Sequence, residues 1–185
     1  ANHPHGLSDG IMFGELLTRV REDVRILVNE QLSLCGELDP WLIKVDVYED
    51  ENARRKNLSG MRKMISWLRQ GGVLGIFPAG TVSSFSLAHK RVTDDPWNAN
   101  IAAIIRMTKA TVVPVYFPGR NSLLFQGISL INRKARVAFL PREVGRDGRR
   151  THRIVVGKPI PFSQLGQYDS DEAIVSHLRL RTYLL

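Results

Sequence analysis

The sequence predicts an α/β domain with a mostly parallel central sheet flanked by helices. Three observations carry this. Apolar residues recur at helical spacing in some segments and form short unbroken runs in others. Unbroken runs suit strands buried on both faces, which are the strands of parallel sheets. The two patterns alternate along the chain, as strand–crossover–strand units require. Composition agrees: of 185 residues, 43% are apolar and 24% charged, unlike a disordered chain, a collagen-like repeat or a coiled coil. No internal repeat or low-complexity linker divides residues 1–185, so they are read as one domain.

In order along the chain, a turn-rich opening leads into a helix with Phe13, Leu16, Leu17 and Val20 on one face. Asp9 or Ser8 is its natural N-cap. Arg25 to Val28 reads as a short strand. Leu58, Met61, Ile65 and Leu68 line a second helix, which Gly71-Gly72 stops. Val73 to Phe77 is a buried parallel strand, and Ile101, Ile104, Ile105 and Thr108 mark a third helix. Thr111 to Phe117 is another buried strand, with one ladder donor removed by Pro114. Arg136 to Leu140 and Arg153 to Val156 read as two more strands. A last helix starts near Asp169, with Glu172 three residues on as a capping box.

Charge is unevenly spread. The net charge is +8, yet residues 1–51 hold 4 basic and 11 acidic side chains, and residues 52–185 hold 22 and 7. Basic groups stand at Arg54-Arg55-Lys56, at Arg133-Lys134-Arg136, and at Arg146 with Arg149-Arg150 and Arg153. Each reads either as solvated surface or as part of a face that docks on phosphate. One cysteine, Cys35, excludes an internal disulfide framework and a cysteine-cluster zinc site, and fits a reducing compartment. The longest charge-free stretch, Gly71 to Ala88, is broken by glycines, serines and Pro78, so it fails as a membrane span.

Three segments carry chemistry. Asn2-His3-Pro4-His5-Gly6-Leu7-Ser8-Asp9 places two histidines and a carboxylate in a turn that enters a helix. A histidine is the natural general base near neutral pH. A carboxylate on its other ring nitrogen fixes the tautomer and stabilises the imidazolium. Two spacings are open: His3 to Asp9 with five residues between, and His5 to Asp9 with three. The bland alternative is a polar turn in which Asp9 only caps the helix. A two-histidine metal site is the weaker option, because no third ligand lies nearby at metal-binding spacing.

The second segment is Phe77-Pro78-Ala79-Gly80-Thr81-Val82-Ser83, where a buried strand runs into a glycine turn and hydroxyl residues. Ligands in open α/β sheets bind beyond such strand ends, and exposed backbone N–H groups there hold anions. The Gly-Lys-Ser/Thr ending of a P-loop is missing, and so is the Gly-x-Ser-x-Gly elbow of a serine hydrolase. The third segment, Val113-Pro114-Val115 through Pro118-Gly119-Arg120-Asn121, ends a strand on an arginine suited to a carboxylate or phosphate. A surface ion pair would explain Arg120 equally well.

Taken together and in this order, the three segments resemble the phospholipid/glycerol acyltransferase superfamily, and most closely its hemolysin-like, lyso-ornithine-lipid acyltransferase branch. The matching motifs are Asn2-His3…Asp9, Phe77-Pro78-Ala79-Gly80-Thr81 and Val113-Pro114-Val115, within a similarity that runs from Ala1 to about Pro161. The resemblance selects His3 over His5 as the base. It implies that Asp9 orients His3, and that Phe77, Pro78, Gly80, Thr81, Ser83, Arg120 and Asn121 bind substrate. It implies transfer of a fatty acyl group from acyl carrier protein or coenzyme A to a lysolipid acceptor, with no cofactor beyond the donor. The expected partners are that donor, the lysolipid and an anionic membrane surface, with no nucleic acid, and the expected place is peripheral, on the cytoplasmic face of a membrane. A strand and membrane-seeking helices expected before the His motif have no counterpart here, so the acyltransferase domain over 1–185 is expected to be N-terminally incomplete. The block between the first and third motifs, with a Gly and an Arg, has no clean match, and Arg54 and Arg55 stand nearest to it. Where the commoner family pattern has Glu after Phe-Pro and Arg after Gly-Thr, this chain has Ala79 and Val82, which argues against a glycerol-phosphate acceptor.

Two other classes each account for part of the sequence. A non-enzymatic module for anionic lipid explains the basic region but leaves His3 and Asp9 idle. A nucleic-acid binder explains the charge alone; no recognised nucleic-acid motif is present and aromatics are 8%.

Overall fold

The computed structural model describes residues 1–29, 36–45, 51–132, 135–147 and 151–185, without the side chains at 36–38, 51–57 and 147. Cys35, Arg54-Arg55-Lys56, Arg133-Lys134 and Arg149-Arg150 therefore lie outside the described side chains.

The chain builds a three-stranded parallel sheet from β1 (Val24–Asn29), β2 (Leu42–Val45) and β3 (Val73–Gly75), in the order β2-β1-β3. Ile26 sits opposite Leu42 on one side and Gly75 on the other. Helix α1 (Leu7–Thr18) precedes β1, and α2 (Glu51–Arg69) makes the crossover from β2 to β3. Three residues of the stripe read on α2 face inward, Met61, Ile65 and Leu68, packed around buried Met64 and Ile43 of β2; the fourth, Leu58, near the helix's N-terminal end, is exposed. Gly71, at φ +86°, ends that helix as its sequence predicts.

Beyond β3 the architecture changes. A hairpin pairs β4 (Ser84–Ser86) with β5 (Arg91–Thr93), followed by α3 (Asn100–Thr108). Strand β6 (Val115–Tyr116) pairs antiparallel with β7 (Val155–Val156), next to an isolated bridge from Val112 to Ile160. Between them lie α4 (Leu123–Ile131), a 3-10 turn over Ala135–Phe139 and α5 (Leu140–Asp147). Helices α6 (Phe162–Leu165) and α7 (Asp171–Tyr183) close the chain. Ala102 and Ile105 of α3 pack with Leu165, Ile174, Val175 and Leu178 into one core cluster.

The α/β class with a parallel central sheet is thus as the sequence predicts, but four elements differ. The Thr111–Phe117 run yields a two-residue strand in an antiparallel pair, because Pro114 interrupts the ladder. Arg136–Leu140 is a 3-10 turn running into a helix. Pro141, with no N–H to donate, sits in that helix's first turn, where none is needed. The last helix is capped by Ser170, whose hydroxyl accepts from Ala173 N–H at 3.1 Å, so Asp171 and Glu172 occupy its first turn instead of forming a box with Asp169. Helix α1 starts at Leu7 with Gly6 at the N-cap, so neither Ser8 nor Asp9 is the N-cap; Asp9 stands at the third helical position, where its carboxylate accepts from the Gly6 N–H.

Candidate active site

Because α1 starts two residues before Asp9, that carboxylate lies inside the first helical turn and faces back over the preceding loop. It is fully buried and accepts four hydrogen bonds. His3 Nδ1 reaches Oδ2 at 3.1 Å and His5 Nδ1 reaches Oδ1 at 3.0 Å. The backbone N–H groups of His5 and Gly6 donate to Oδ2 at 2.7 and 3.1 Å. Burial pushes the Asp9 carboxyl up, but the hydrogen bonds and charge of the two imidazoles outweigh it and hold the carboxyl below its ordinary range. An ionised carboxylate only accepts, so both rings carry their proton on Nδ1, and each neutral ring has its lone pair on Nε2. The sequence left two spacings open, and the fold places both histidines on the one carboxylate.

The two rings are not equivalent. His5 is 4% exposed, its Nε2 packed against Gly119. A Cβ on Gly119 would come within 2.7 Å of that nitrogen, and the backbone there has φ +111°, so glycine is required twice over. The His3 side chain keeps 13% exposure, and its Nε2 makes no hydrogen bond among the described residues. Its ring stacks on Phe77 with centroids 4.1 Å apart, and Phe77 in turn packs against Phe13 and Phe117.

Three further contacts fix the loop. Asn2 clamps Phe117: its Oδ1 accepts from Phe117 N–H at 2.7 Å and its Nδ2 donates to Phe117 C=O at 2.9 Å. Ser83 N–H donates to His3 C=O at 2.8 Å. Asp94 Oδ1 accepts from His3 N–H at 3.1 Å and from the Ser83 hydroxyl, while Oδ2 accepts from Trp97 Nε1 at 2.9 Å. Asp94, 3% exposed, is a positioning residue that sequence reasoning missed. A signal existed: between Glu51 and Glu143 the only carboxylates are Asp94 and Asp95.

The predicted substrate residues divide. Phe77 and Ser83 touch His3 directly, as above. Gly80, at φ +65°, turns the chain after β3, and its N–H donates to Phe77 C=O at 3.0 Å, which occupies that donor. Thr81 donates to Asp95 at 2.7 Å. Pro78 lines an apolar cavity of about 130 Å³ with Ala1, Leu74, Trp97 and Ile104, which neither His3 nor Asp9 lines. Arg120 is exposed and makes no hydrogen bond or ion pair among the described residues. Asn121 is 1% exposed with neither amide atom paired. Among the described residues no hydrogen bond, ion pair or ring contact joins Arg120 or Asn121 to His3; their link to the loop is Gly119 beneath His5.

A buried carboxylate that fixes an imidazole, with the far nitrogen open, is an arrangement for removing a proton from a substrate. The chain is 28% identical over 170 residues to the lyso-glycine lipid O-acyltransferase of Bacteroides thetaiotaomicron, covering 88% of this chain and 60% of that protein. It is similar, also at 28% over 170 residues, to the lyso-glycine lipid O-acyltransferase of Phocaeicola vulgatus, covering 88% of this chain and 58% of that one. The chain thus spans about three-fifths of the length of these relatives. A family described as Acyltransferase matches residues 1–185 from end to end, and the chain belongs to that family.

Proposed function

We propose that the chain is the acyl-transfer portion of an O-acyltransferase of lipid synthesis. It moves a fatty acyl group from acyl carrier protein or coenzyme A to the hydroxyl of a lyso-amino-acid lipid. The single observation that carries this is His3, held by Asp9 through Nδ1 with Nε2 left open. His3 Nε2 takes the acceptor's hydroxyl proton as its oxygen attacks the thioester carbonyl. The tetrahedral intermediate collapses, the C–S bond breaks, and the proton passes from the imidazolium to the departing thiolate. The products are an ester and a free thiol, with no covalent enzyme intermediate. A positioned base of this kind contributes about 10²–10⁴-fold.

Donors for the oxyanion come from the turn after β3. Gly80 N–H is engaged within that turn, which leaves the neighbouring Ala79 and Thr81 N–H groups, unbonded among the described residues. The acceptor class rests on two supports. The relatives are named for lyso-glycine lipid. Ala79 and Val82 also supply neither charge of a phosphate grip. The basic region from residue 52 onward suits an anionic leaflet and an acidic donor, which supports a peripheral position on the cytoplasmic face of a membrane. No helix among the described residues is long and apolar enough to cross one.

The test is thiol release by the purified full-length parent from acyl carrier protein and coenzyme A thioesters, with lyso-glycine lipid, lyso-ornithine lipid and lysophosphatidic acid as acceptors. Turnover on the amino-acid lipids, with lysophosphatidic acid poor, is the expected result. A preference for lysophosphatidic acid overturns the acceptor assignment. Vesicle binding with no thiol release from either donor overturns the enzyme.

A further inference from the structure

Helix α4 is amphipathic in the wrong direction for a helix surrounded by water. Its inward face holds Phe125, Gln126 and Ser129, which are 0%, 5% and 5% exposed. The outward face holds Leu123, Leu124, Leu130 and Ile131, at 77%, 48%, 51% and 89% exposure. These positions, with Gly127 between them, form one stripe at helical spacing. The buried polar groups are tied down: Gln126 Oε1 accepts from Phe85 N–H at 2.8 Å, and Ser129 donates to Phe125 C=O at 2.7 Å. The orientation is therefore fixed by the fold. Isolated exposed leucines need no explanation, but a contiguous stripe of large aliphatics does.

The Phe85 bond joins α4 to the β4–β5 hairpin, whose turn continues the patch. Leu87 at its tip is 73% exposed, and Lys90 and Arg91 beside it are exposed. Arg120, just before α4, is exposed as well. Among the described residues, none of these three cations forms an ion pair with a carboxylate. Between Glu51 and Glu143 the sequence has 15 basic residues and only Asp94 and Asp95, both bonded within the site. An apolar stripe rimmed by cations complements an anionic leaflet. The patch also meets the site. A cavity of about 340 Å³ lies between the hairpin, α4 and α7; exposed Leu130 of the stripe and buried Asp94, which holds the His3 loop, both line it.

We infer that the outer face of α4 and the Leu87 turn form the surface that enters an anionic bilayer, setting the cavity lined by Leu130 against the leaflet. This deepens the reading under Proposed function and rests on it. The experiment uses the full-length parent with phosphatidylcholine vesicles and with equimolar phosphatidylcholine–phosphatidylglycerol vesicles. With Ile131→Trp, tryptophan emission should shift to the blue on vesicle addition and be quenched by brominated acyl chains. The pair Leu123→Gln/Ile131→Gln should lower partitioning onto both vesicles at least about tenfold. The pair Lys90→Gln/Arg91→Gln should lower it about tenfold on the anionic vesicles alone. Thiol release with a short-chain, water-dispersed acceptor should be unchanged in both pairs. Emission that stays red on bound protein overturns the inference, as does emission already blue without lipid, which would mean that a second copy or another part of the parent covers the stripe. A parent that inserts Ile131→Trp but releases no thiol upholds the surface and overturns the acyltransferase.

Discussion

The Asn2–Asp9 loop and the Arg120–Asn121 turn meet where Gly119 packs under His5, and they treat their polar groups in opposite ways. In the loop, Asn2 uses both amide atoms, Asp9 both oxygens, and both imidazoles their Nδ1. In the turn, Asn121 is buried with its amide unpaired at both ends, and Arg120 extends into solvent without a partner among the described residues. Apart from the Ser8 hydroxyl, which is buried without a partner, the loop is tied down before any ligand arrives, as the proposed general base requires, since its geometry must not be reorganised during proton transfer. The turn carries an uncompensated desolvation cost of about 1–3 kcal/mol, of the kind a ligand's polar groups relieve. On the proposed function, the first region serves chemistry and the second recognition.

The largest effect should come from the loop. His3→Ala is expected to lower thiol release by about 10²–10⁴-fold, and His5→Ala by only about tenfold, since His5 acts through Asp9. Equal losses would end the distinction between the rings. Next, Asp9→Asn should cost about 2–4 kcal/mol, because one amide cannot accept from two imidazoles and two backbone donors; the thermal midpoint falls by roughly 5–15 °C. The pH dependence has a definite sign. The folded Asp9 pKa lies below its unfolded value, so its contribution is full above the ordinary carboxyl range and is lost as pH falls through the lowered folded value. Acid melts of wild type and Asp9→Asn should converge there.

The turn should respond oppositely. Asn121→Leu is expected to hold or raise the thermal midpoint, because it removes an unpaired amide, while the acceptor KM rises about tenfold. A destabilised Asn121→Leu would show that the amide is paired after all. Arg120→Ala is the smallest change: stability within about 0.5 kcal/mol and an acceptor KM raised about threefold.

Helix α1, β1, α2, β3 and α3 were legible because each packs most of a stripe or run that its own residues announce, as Ile65 and Ile105 do. Strand β2 was not, since Leu42–Val45 includes Lys44, whose ammonium pairs with Asp39 at 2.7 Å. The β4–β5 hairpin escaped for a similar reason: its six residues include three hydroxyl side chains and an arginine. The antiparallel pairing of β6 with β7 depends on which distant strand arrives, and nothing local encodes that. In the site, spacing put His3 and His5 near Asp9, but two rings on one carboxylate needed Gly6 as the cap. Family resemblance pointed to His3, and the burial of His5 gives a physical reason for the same choice.

The Asn2 clamp bears on how the protein is made. Its amide imitates a strand's backbone and closes a loop of 115 residues. Contacts of such separation form late, after the entropy of the intervening chain has been spent. During synthesis Asn2 precedes Phe117, so the clamp closes only once Phe117 follows. Refolding should therefore return thiol-release activity only with the slowest phase, after tryptophan fluorescence has recovered. Asn2→Ala should leave the fast phases intact and slow or abolish the last one, readable by stopped-flow mixing.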